Sequence, residues 1–242
     1  MIEITYDLHV HSCLSPCGSD DSTPANIAGL AAILGLDTVA LTDHNSSKNC
    51  PAFFKAAKEQ GIIPVAGMEL MTEEQIHVLC LFPSLEAAMN FDAFVYERLF
   101  PMKNDEAIFG RQVITDETDK EIGTVENCLI NSVSIDLYSL GIEVRSRGGI
   151  IIPAHIERAA FSLISSLGFV PDDSGFDCVE IRSKEAVENL KKNHEYLNLC
   201  KIIHNSDAHE LEAMSTGENK LLVAEKSAEG ILRALSKGFN NQ

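Results

Sequence analysis

Short apolar runs alternate with helical segments over the first third of the chain. The runs at 6–10, 38–41 and 62–66 predict strands, while the segments 25–34 and 51–60 predict helices, each followed by a glycine. Consecutive strands joined through a helix are parallel, with right-handed crossovers. This order therefore predicts an α/β fold built on a parallel sheet.

Histidine and carboxylate side chains stand at the C-terminal ends of five apolar runs. They are His9 and His11, Asp43 and His44, Glu69, His155, and Asp207 with His209. Each one alone is as easily a hydrogen-bonded core or capping residue. In parallel α/β folds, however, these strand ends meet at one edge, where sites are built. Nitrogen and oxygen donors without paired thiolates suit Zn²⁺, Mn²⁺ or Fe²⁺, and so many donors predict a site for two or three divalent ions.

Two parts of the chain depart from this rhythm. His77 precedes its apolar run, so either this strand enters the sheet in the opposite sense or His77 merely begins it. The segment 85–145 predicts a helix at 85–100, a β-hairpin at 112–123 and a helix at 125–140. We interpret 85–145 as a small α+β insertion, with residues 1–84 and 146–242 forming the main domain.

Charge and cysteine usage limit the partners and the compartment. The net charge of −17 argues against a broad nucleic-acid surface, so we expect no long nucleic acid as a partner. The seven scattered cysteines indicate reduced thiols, and we expect a cytoplasmic protein that does not contact membranes. A small phosphorylated substrate stays open, because bound cations supply positive charge locally.

The ordered motifs of the chain resemble a known family. Asp7-Leu8-His9-Val10-His11, Thr42-Asp43-His44-Asn45, Gly67-Met68-Glu69, His77, Pro153-Ala154-His155 and Ser206-Asp207-Ala208-His209 are similar to those of the PHP (polymerase and histidinol phosphatase) superfamily. The resemblance implies a distorted (β/α)7 TIM-like barrel, a site of two or three metal ions and phosphoester hydrolysis.

The same resemblance implies which residues bind each ion. The three sets are His9, His11 and Asp207; Glu69, His77 and His155; His44 and His209. The family adds an Asp or His shortly after the first pair, where this chain offers Cys17 or, alternatively, Asp20. Cys17 is therefore a candidate thiolate ligand, and a Cys17 that is buried or merely forms the turn is at least as good an interpretation.

The resemblance also suggests the residues that handle substrate. Arg158 is the candidate phosphate clamp, with Arg182 and Lys184 as secondary candidates, although Arg158 is equally interpreted as a solvated residue beside Glu157. Asp43 is expected to orient a ligand, and His209 is a candidate proton donor.

From these residues we expect hydrolysis of a small phosphomonoester, nucleotide-like or histidinol-phosphate-like, by metal-activated hydroxide. The alternatives are a metal-stabilised module without catalysis and an exonuclease for short oligonucleotides.

Overall fold

The fold is described from a computed structural model, which covers residues 1–171 and 174–237. The predicted C-terminal limit of the main domain, residue 242, lies outside them. The strands are β1 Ile2–Val10, β2 Thr38–Leu41, β3 Ile63–Met71, β4 His77–Phe82, β5 Val113–Thr115, β6 Glu121–Thr124, β7 Ile150–Pro153, β8 Cys178–Glu180, β9 Lys201–Ile203 and β10 Lys220–Val223. The helices are α1 Pro24–Ile33, α2 Cys50–Glu59, α3 Leu85–Tyr96, α4 Glu106–Phe109, α5 Leu137–Ser146, α6 Leu163–Leu167, α7 Val187–Asn193 and α8 Ala228–Leu235.

The main sheet curls toward a barrel. Its strand order is β10-β1-β2-β3-β4-β7, and β8 pairs in parallel with β9. Beyond β7, the Ile156 amide donates to the Glu180 carbonyl at 3.1 Å, and after β9 the Ala208 carbonyl accepts from the His11 amide at 2.9 Å. These bonds link both ends of the β8–β9 pair to the main sheet. The predicted α/β class with a TIM-like barrel is confirmed.

Strand β4 runs against its neighbours and thereby explains the position of His77. It is antiparallel to β3 and to β7. The turn 72–76 that joins β3 to β4 is far shorter than the dozen or so residues that a parallel crossover needs. The first residue of β4, His77, therefore pairs with Met71, the last residue of β3, and lies at the same edge as Glu69.

Strand β1 does not alternate regularly along its whole length. Tyr6 and Leu8 pack in a core cluster with Ala40 and Ile231, whereas Val10 packs in a second cluster. From the alternation of side chains along a strand we expect Tyr6, Leu8 and Val10 on one face, and this expectation is wrong. The reason is a break in the β1–β2 register between Asp7 and Val10, which shifts the strand just before it reaches the site.

The 85–145 segment contains the predicted first helix, as α3, and the predicted hairpin, as β5–β6. The helix predicted at 125–140 is wrong, because helical structure starts only at α5. The side chain of Gln112 binds the backbone there instead, donating to the Val125 and Asn127 carbonyls at 2.8 Å and accepting from the Leu129 amide at 2.7 Å. The buried residues Val125, Leu129 and Val133 recur at a helical spacing without forming a helix.

The limits of the main domain and of the 85–145 insertion stay a prediction.

None of the helices within 1–171 and 174–237 is long and apolar enough to cross a membrane. The seven cysteines are free thiols in the described structure.

Replacing Gly67 by Ala should destabilise the fold. A Cβ atom there would lie 2.5 Å from the Cys80 carbonyl oxygen and 2.8 Å from the Leu81 Cδ2 atom, so the β3–β4 pair would have to separate. We expect the free energy of unfolding to fall by about 1–3 kcal/mol, the usual cost of overpacking. Denaturant unfolding measures it. The control is Gly29→Ala in α1, where a Cβ meets nothing within 4 Å; equal losses in both variants would contradict the prediction.

Candidate metal centre

The carboxylate of Glu69 lies at the centre of a ring of histidines. Glu69 is 1% exposed, and its amide lies against the Thr42 and Asp43 carbonyls at the end of β2, which fixes it among the other strand ends. Its oxygens are close to ring nitrogens of five histidines: Nδ1 of His77 and Nε2 of His155 at 2.9 Å, Nδ1 of His44 at 3.1 Å, Nε2 of His11 at 3.3 Å and Nε2 of His9 at 3.4 Å. These residues come from distant parts of the chain and meet only through the fold.

Among the described residues, three groups of donor atoms have the spacing of metal ligands, with all atoms of a group within 4.8 Å of one another. The groups are His9, His11, Glu69 and Asp207; His44, Glu69 and His77; and His11, His44 and His209. Glu69, His11 and His44 each belong to two groups, as bridging ligands would. These groups differ from the three sets that the family resemblance implies. His44 joins Glu69 and His77, and His155 contacts Glu69 but belongs to none of the three groups.

The donor atoms are better placed to bind divalent cations than to form hydrogen bonds with one another. Of the buried polar atoms in the described residues that lack a hydrogen bond of good geometry, three belong to this centre: Nδ1 of His77, Nδ1 of His155 and Oδ1 of Asp207. Nδ1 of His77 is close to the Glu69 carboxylate without forming a hydrogen bond to it. Nε2 of His9 also faces Nε2 of His11 at 3.1 Å. Buried polar atoms are normally satisfied, so the facing and unpaired donors fit a site that binds a cation. The mixed nitrogen and oxygen set suits Zn²⁺, Mn²⁺ or Fe²⁺.

A buried carboxylate that the sequence analysis missed, Glu180 at the end of β8, holds His9. Nδ1 of His9 lies 3.0 and 3.2 Å from the Glu180 oxygens, and these also accept from the His155 amide at 2.9 Å and from Nδ2 of Asn205 at 2.6 Å. A carboxylate only accepts, so Nδ1 carries the proton and Nε2 points into the centre. The sequence does contain a signal for Glu180: it is a glutamate near the C-terminal end of the apolar run 176–181, and Glu69 likewise follows an apolar run.

The turn after β1 orients His11 in the same manner. Ser15 Oγ donates to the Asp43 carboxylate at 2.7 Å and so accepts from Nδ1 of His11 at 2.9 Å. Asp43 also accepts from the amide and hydroxyl of Ser12, both at 2.7 Å, and belongs to none of the three groups found in the described residues. Asp43 therefore acts on the centre indirectly, by orienting Ser15, which in turn orients His11.

The electrostatics of the centre favour positive charge. Burial would raise the pKa of Glu69, but the neighbouring histidines, His77 foremost, hold it well below its usual range. Burial opposes protonation of His9, yet Glu180, Glu69 and Asp207 hold the pKa of His9 well above its ordinary value. These carboxylates create a negative potential that draws a cation to Nε2 of His9.

His209 lies at the outer side of the centre. Its Nδ1 donates to the Asp207 carbonyl at 2.9 Å, and its ring stacks on His11 with centroids 4.1 Å apart. Burial, followed by the charge of His11, lowers the pKa of His209 to about 4. His209 is therefore neutral at pH 7, with its Nε2 lone pair free.

Cys17 and Asp20 belong to none of the three ligand groups in the described part of the chain. Both are exposed as whole residues, but the thiol of Cys17 itself is largely shielded from solvent. This desolvation raises the pKa of Cys17 to about 12, and the charge of Glu69 adds to the shift. The ligand role of Cys17 stays a prediction.

Arg158 and Arg182 lie beside Asp207 on the solvent-exposed side of the centre, which we call its mouth. Nη1 of Arg158 donates to Oδ2 of Asp207 at 3.1 Å, and Nη1 of Arg182 lies 3.9 Å from the same oxygen. Their side chains are 43% and 57% exposed, so they also face solvent at the mouth. Lys184 is exposed, and its charge acts on Glu185 and Glu218.

A family model for the PHP domain matches residues 7–240, nearly the whole chain. The chain belongs to the PHP-domain family. The resemblance seen in the motifs is thereby confirmed.

Comparisons with individual proteins show the same fold at low identity. A lesion-specific endonuclease from Pyrococcus furiosus superimposes with a TM-score of 0.70 at 19% identity, covering 97% of this chain and 56% of that one. A protein from Bifidobacterium adolescentis, provisionally described as a metal-dependent phosphoesterase, gives 0.58 at 19% identity, covering 88% and 91%. An error-prone DNA polymerase of Symbiobacterium thermophilum is 34% identical over 88 residues, which span 36% of this chain and 8% of the polymerase. The chain thus spans about half of the endonuclease and a small part of the polymerase.

The expectation of no long nucleic acid is wrong. The structure of Endonuclease Q has been solved with a 27-mer duplex that carries an abasic lesion at the active site. It matches this chain with a TM-score of 0.67 at 19% identity, covering 97% of this chain and 56% of that one. The net charge of −17 is a property of the whole chain. Contact with a phosphate backbone depends instead on the charge at the mouth, where Arg158 and Arg182 stand.

Proposed function

We propose that this member of a family of metal-dependent phosphoesterases hydrolyses a small phosphomonoester at the Glu69 centre. The observation that carries the proposal is the Glu69 carboxylate itself, with ring nitrogens of five histidines within 3.4 Å. Such a set of carboxylate and imidazole donors would hold two metal ions, which supply the chemistry of phosphoester hydrolysis.

The ions would be held by the three groups described above, two or three in number. When bound, such ions neutralise phosphate oxygens and lower the pKa of water. Glu180 and Ser15 keep the Nε2 atoms of His9 and His11 directed inward. Because His209 is neutral at pH 7, we propose that it binds a metal ion rather than donates a proton.

Arg158 and Arg182 are the proposed phosphate-binding residues. Both guanidinium groups contact the outer oxygen of Asp207 and are partly exposed, so a phosphate at the mouth would meet them beside the ligands. Lys184 would add positive charge from a greater distance.

Metal-loaded protein tests this function directly. Protein reconstituted with Mn²⁺ or Zn²⁺ should release inorganic phosphate from aryl phosphates and nucleoside monophosphates, and EDTA should abolish the release. Elemental analysis of the same sample should give two or three ions per chain. A sample that binds these ions and hydrolyses nothing in the panel would contradict the proposal.

The chelator experiment also distinguishes the non-catalytic module. Removing the ions should lower the melting temperature by several degrees, because ligands that bind only the folded state stabilise it. A large shift without turnover of any phosphoester would favour the module, whereas a shift with turnover favours the enzyme.

A nuclease is the second candidate, and the abasic duplex held by a protein of the same fold favours it. The discriminating products are inorganic phosphate from a monoester and nucleotides from a diester. A dinucleotide, a short oligonucleotide and an abasic duplex therefore belong beside the monoesters in the assay. Cleavage of these diesters with no release of inorganic phosphate would favour the nuclease.

A further inference from the structure

An exposed aromatic ring, Phe161, stands at the mouth of the metal centre. Its ring stacks on His77, with centroids 5.3 Å apart and planes within 12°, and Phe161 is nevertheless 44% exposed. His77 in turn contacts Glu69 at 2.9 Å. Phe161 therefore lies one side chain away from the central carboxylate and presents apolar surface to solvent.

The loop that carries Phe161 is held firmly. The Phe161 carbonyl accepts from the His77 amide at 3.0 Å, and the buried Ser162 hydroxyl donates to the Arg158 carbonyl at 2.6 Å. Ser162 also begins α6 through a reciprocal capping box with Ser165. The loop thus presents the Phe161 ring and the Arg158 guanidinium from one fixed segment.

The backbone of Phe161 is strained, with φ at 55°, a left-handed conformation that bulky residues rarely adopt. Such conformations persist where the surrounding structure holds them, and they cluster at functional sites. His155 and Asp207, both at the centre, share this feature with φ of 30° and 53°. A strained backbone and a partly exposed ring both cost stability, and a ligand that binds the exposed ring would offset this cost.

We propose that Phe161 binds a planar ring in the organic part of the substrate, so that the substrate class is a nucleoside phosphoester. One face of Phe161 rests against His77, and the exposed side accepts the base by stacking. The phosphate then lies between the metal ligands and Arg158 on the same loop. This inference rests on the proposed function, which it narrows to ring-bearing phosphoesters.

The test compares adenosine 5′-monophosphate with ribose 5-phosphate, which lacks the base. With wild-type protein, kcat/KM should be higher for the nucleotide. Phe161→Leu should raise KM for the nucleotide about tenfold or more, the usual effect of losing a stacked base, and change ribose 5-phosphate about twofold at most. Phe161→Trp keeps a stacking face and should retain the preference. Phe169→Leu, at a phenylalanine 56% exposed elsewhere, is the matched control and should change neither substrate.

Each other outcome is decisive. Equal losses on both substrates with loss of bound metal would mean that Phe161 only holds His77, and would overturn the inference. If wild-type protein hydrolyses no phosphoester, the proposed function fails, and calorimetric binding of the same two compounds to metal-loaded protein then tests the inference. Equal affinities for the two compounds would overturn it.

Discussion

Replacing Glu69 by Gln is expected to lower phosphoester hydrolysis by about 10²- to 10³-fold, the size of effect seen when a reaction centre loses one electrostatic partner. The substitution preserves the volume of the side chain and removes its negative charge. The amide group of Gln would then face the imidazoles of His77 and His155, both 2.9 Å from the carboxylate. Fewer ions per chain should also be retained, because Glu69 belongs to two of the three ligand groups.

Activity and metal content of the same preparation measure both effects. Glu73→Gln is the matched control, since Glu73 is exposed and only four residues away. Its activity and metal content should equal those of the wild type. A Glu69→Gln protein with full activity and a full complement of ions would show that Glu69 is not a ligand.

The sequence was sufficient to predict which histidines and carboxylates meet around Glu69, because of their positions at the strand ends. His9, His44 and His155 each follow an apolar run, and the carboxyl ends of such strands must converge if the sheet is parallel. His77 was harder to interpret, since its position depends on the direction of β4, which the short turn 72–76 decides. The family resemblance supplied the assignment that periodicity left open.

The supporting residues were not predictable because side-chain partners are set by tertiary contacts. Glu180 follows a strand of only three residues and stands 171 positions from His9, with which it pairs. In the turn after β1, the sequence pointed to Cys17 as a candidate ligand but gave no sign of the role of Ser15, two residues earlier. The Ser15 hydroxyl connects His11 to Asp43. Gln112 replaced the hydrogen bonds of a predicted helix, which a periodic pattern cannot reveal.

Glu180→Gln should weaken metal binding by about 10- to 100-fold, the usual cost of losing the group that orients a histidine ligand. Three donors converge on Glu180: Nδ1 of His9, the His155 amide and the Asn205 side chain. A glutamine offers one acceptor oxygen, so its own amide hydrogens must face one of these donors. The energetically cheapest relief is for His9 to move its proton from Nδ1 to Nε2, which blocks the atom that faces Glu69 and Asp207.

Competition with a chromophoric chelator measures the affinity, and NMR of the imidazole nitrogens reports the tautomer of His9. Glu188→Gln, at an exposed position of α7, is the matched control and should bind metal as the wild type does. If Glu180 were important only for folding, the substitution would lower the melting temperature of the metal-free protein and leave the tautomer unchanged. Wild-type affinity together with a proton still on Nδ1 would exclude the positioning role, because that role acts through Nε2 of His9 alone.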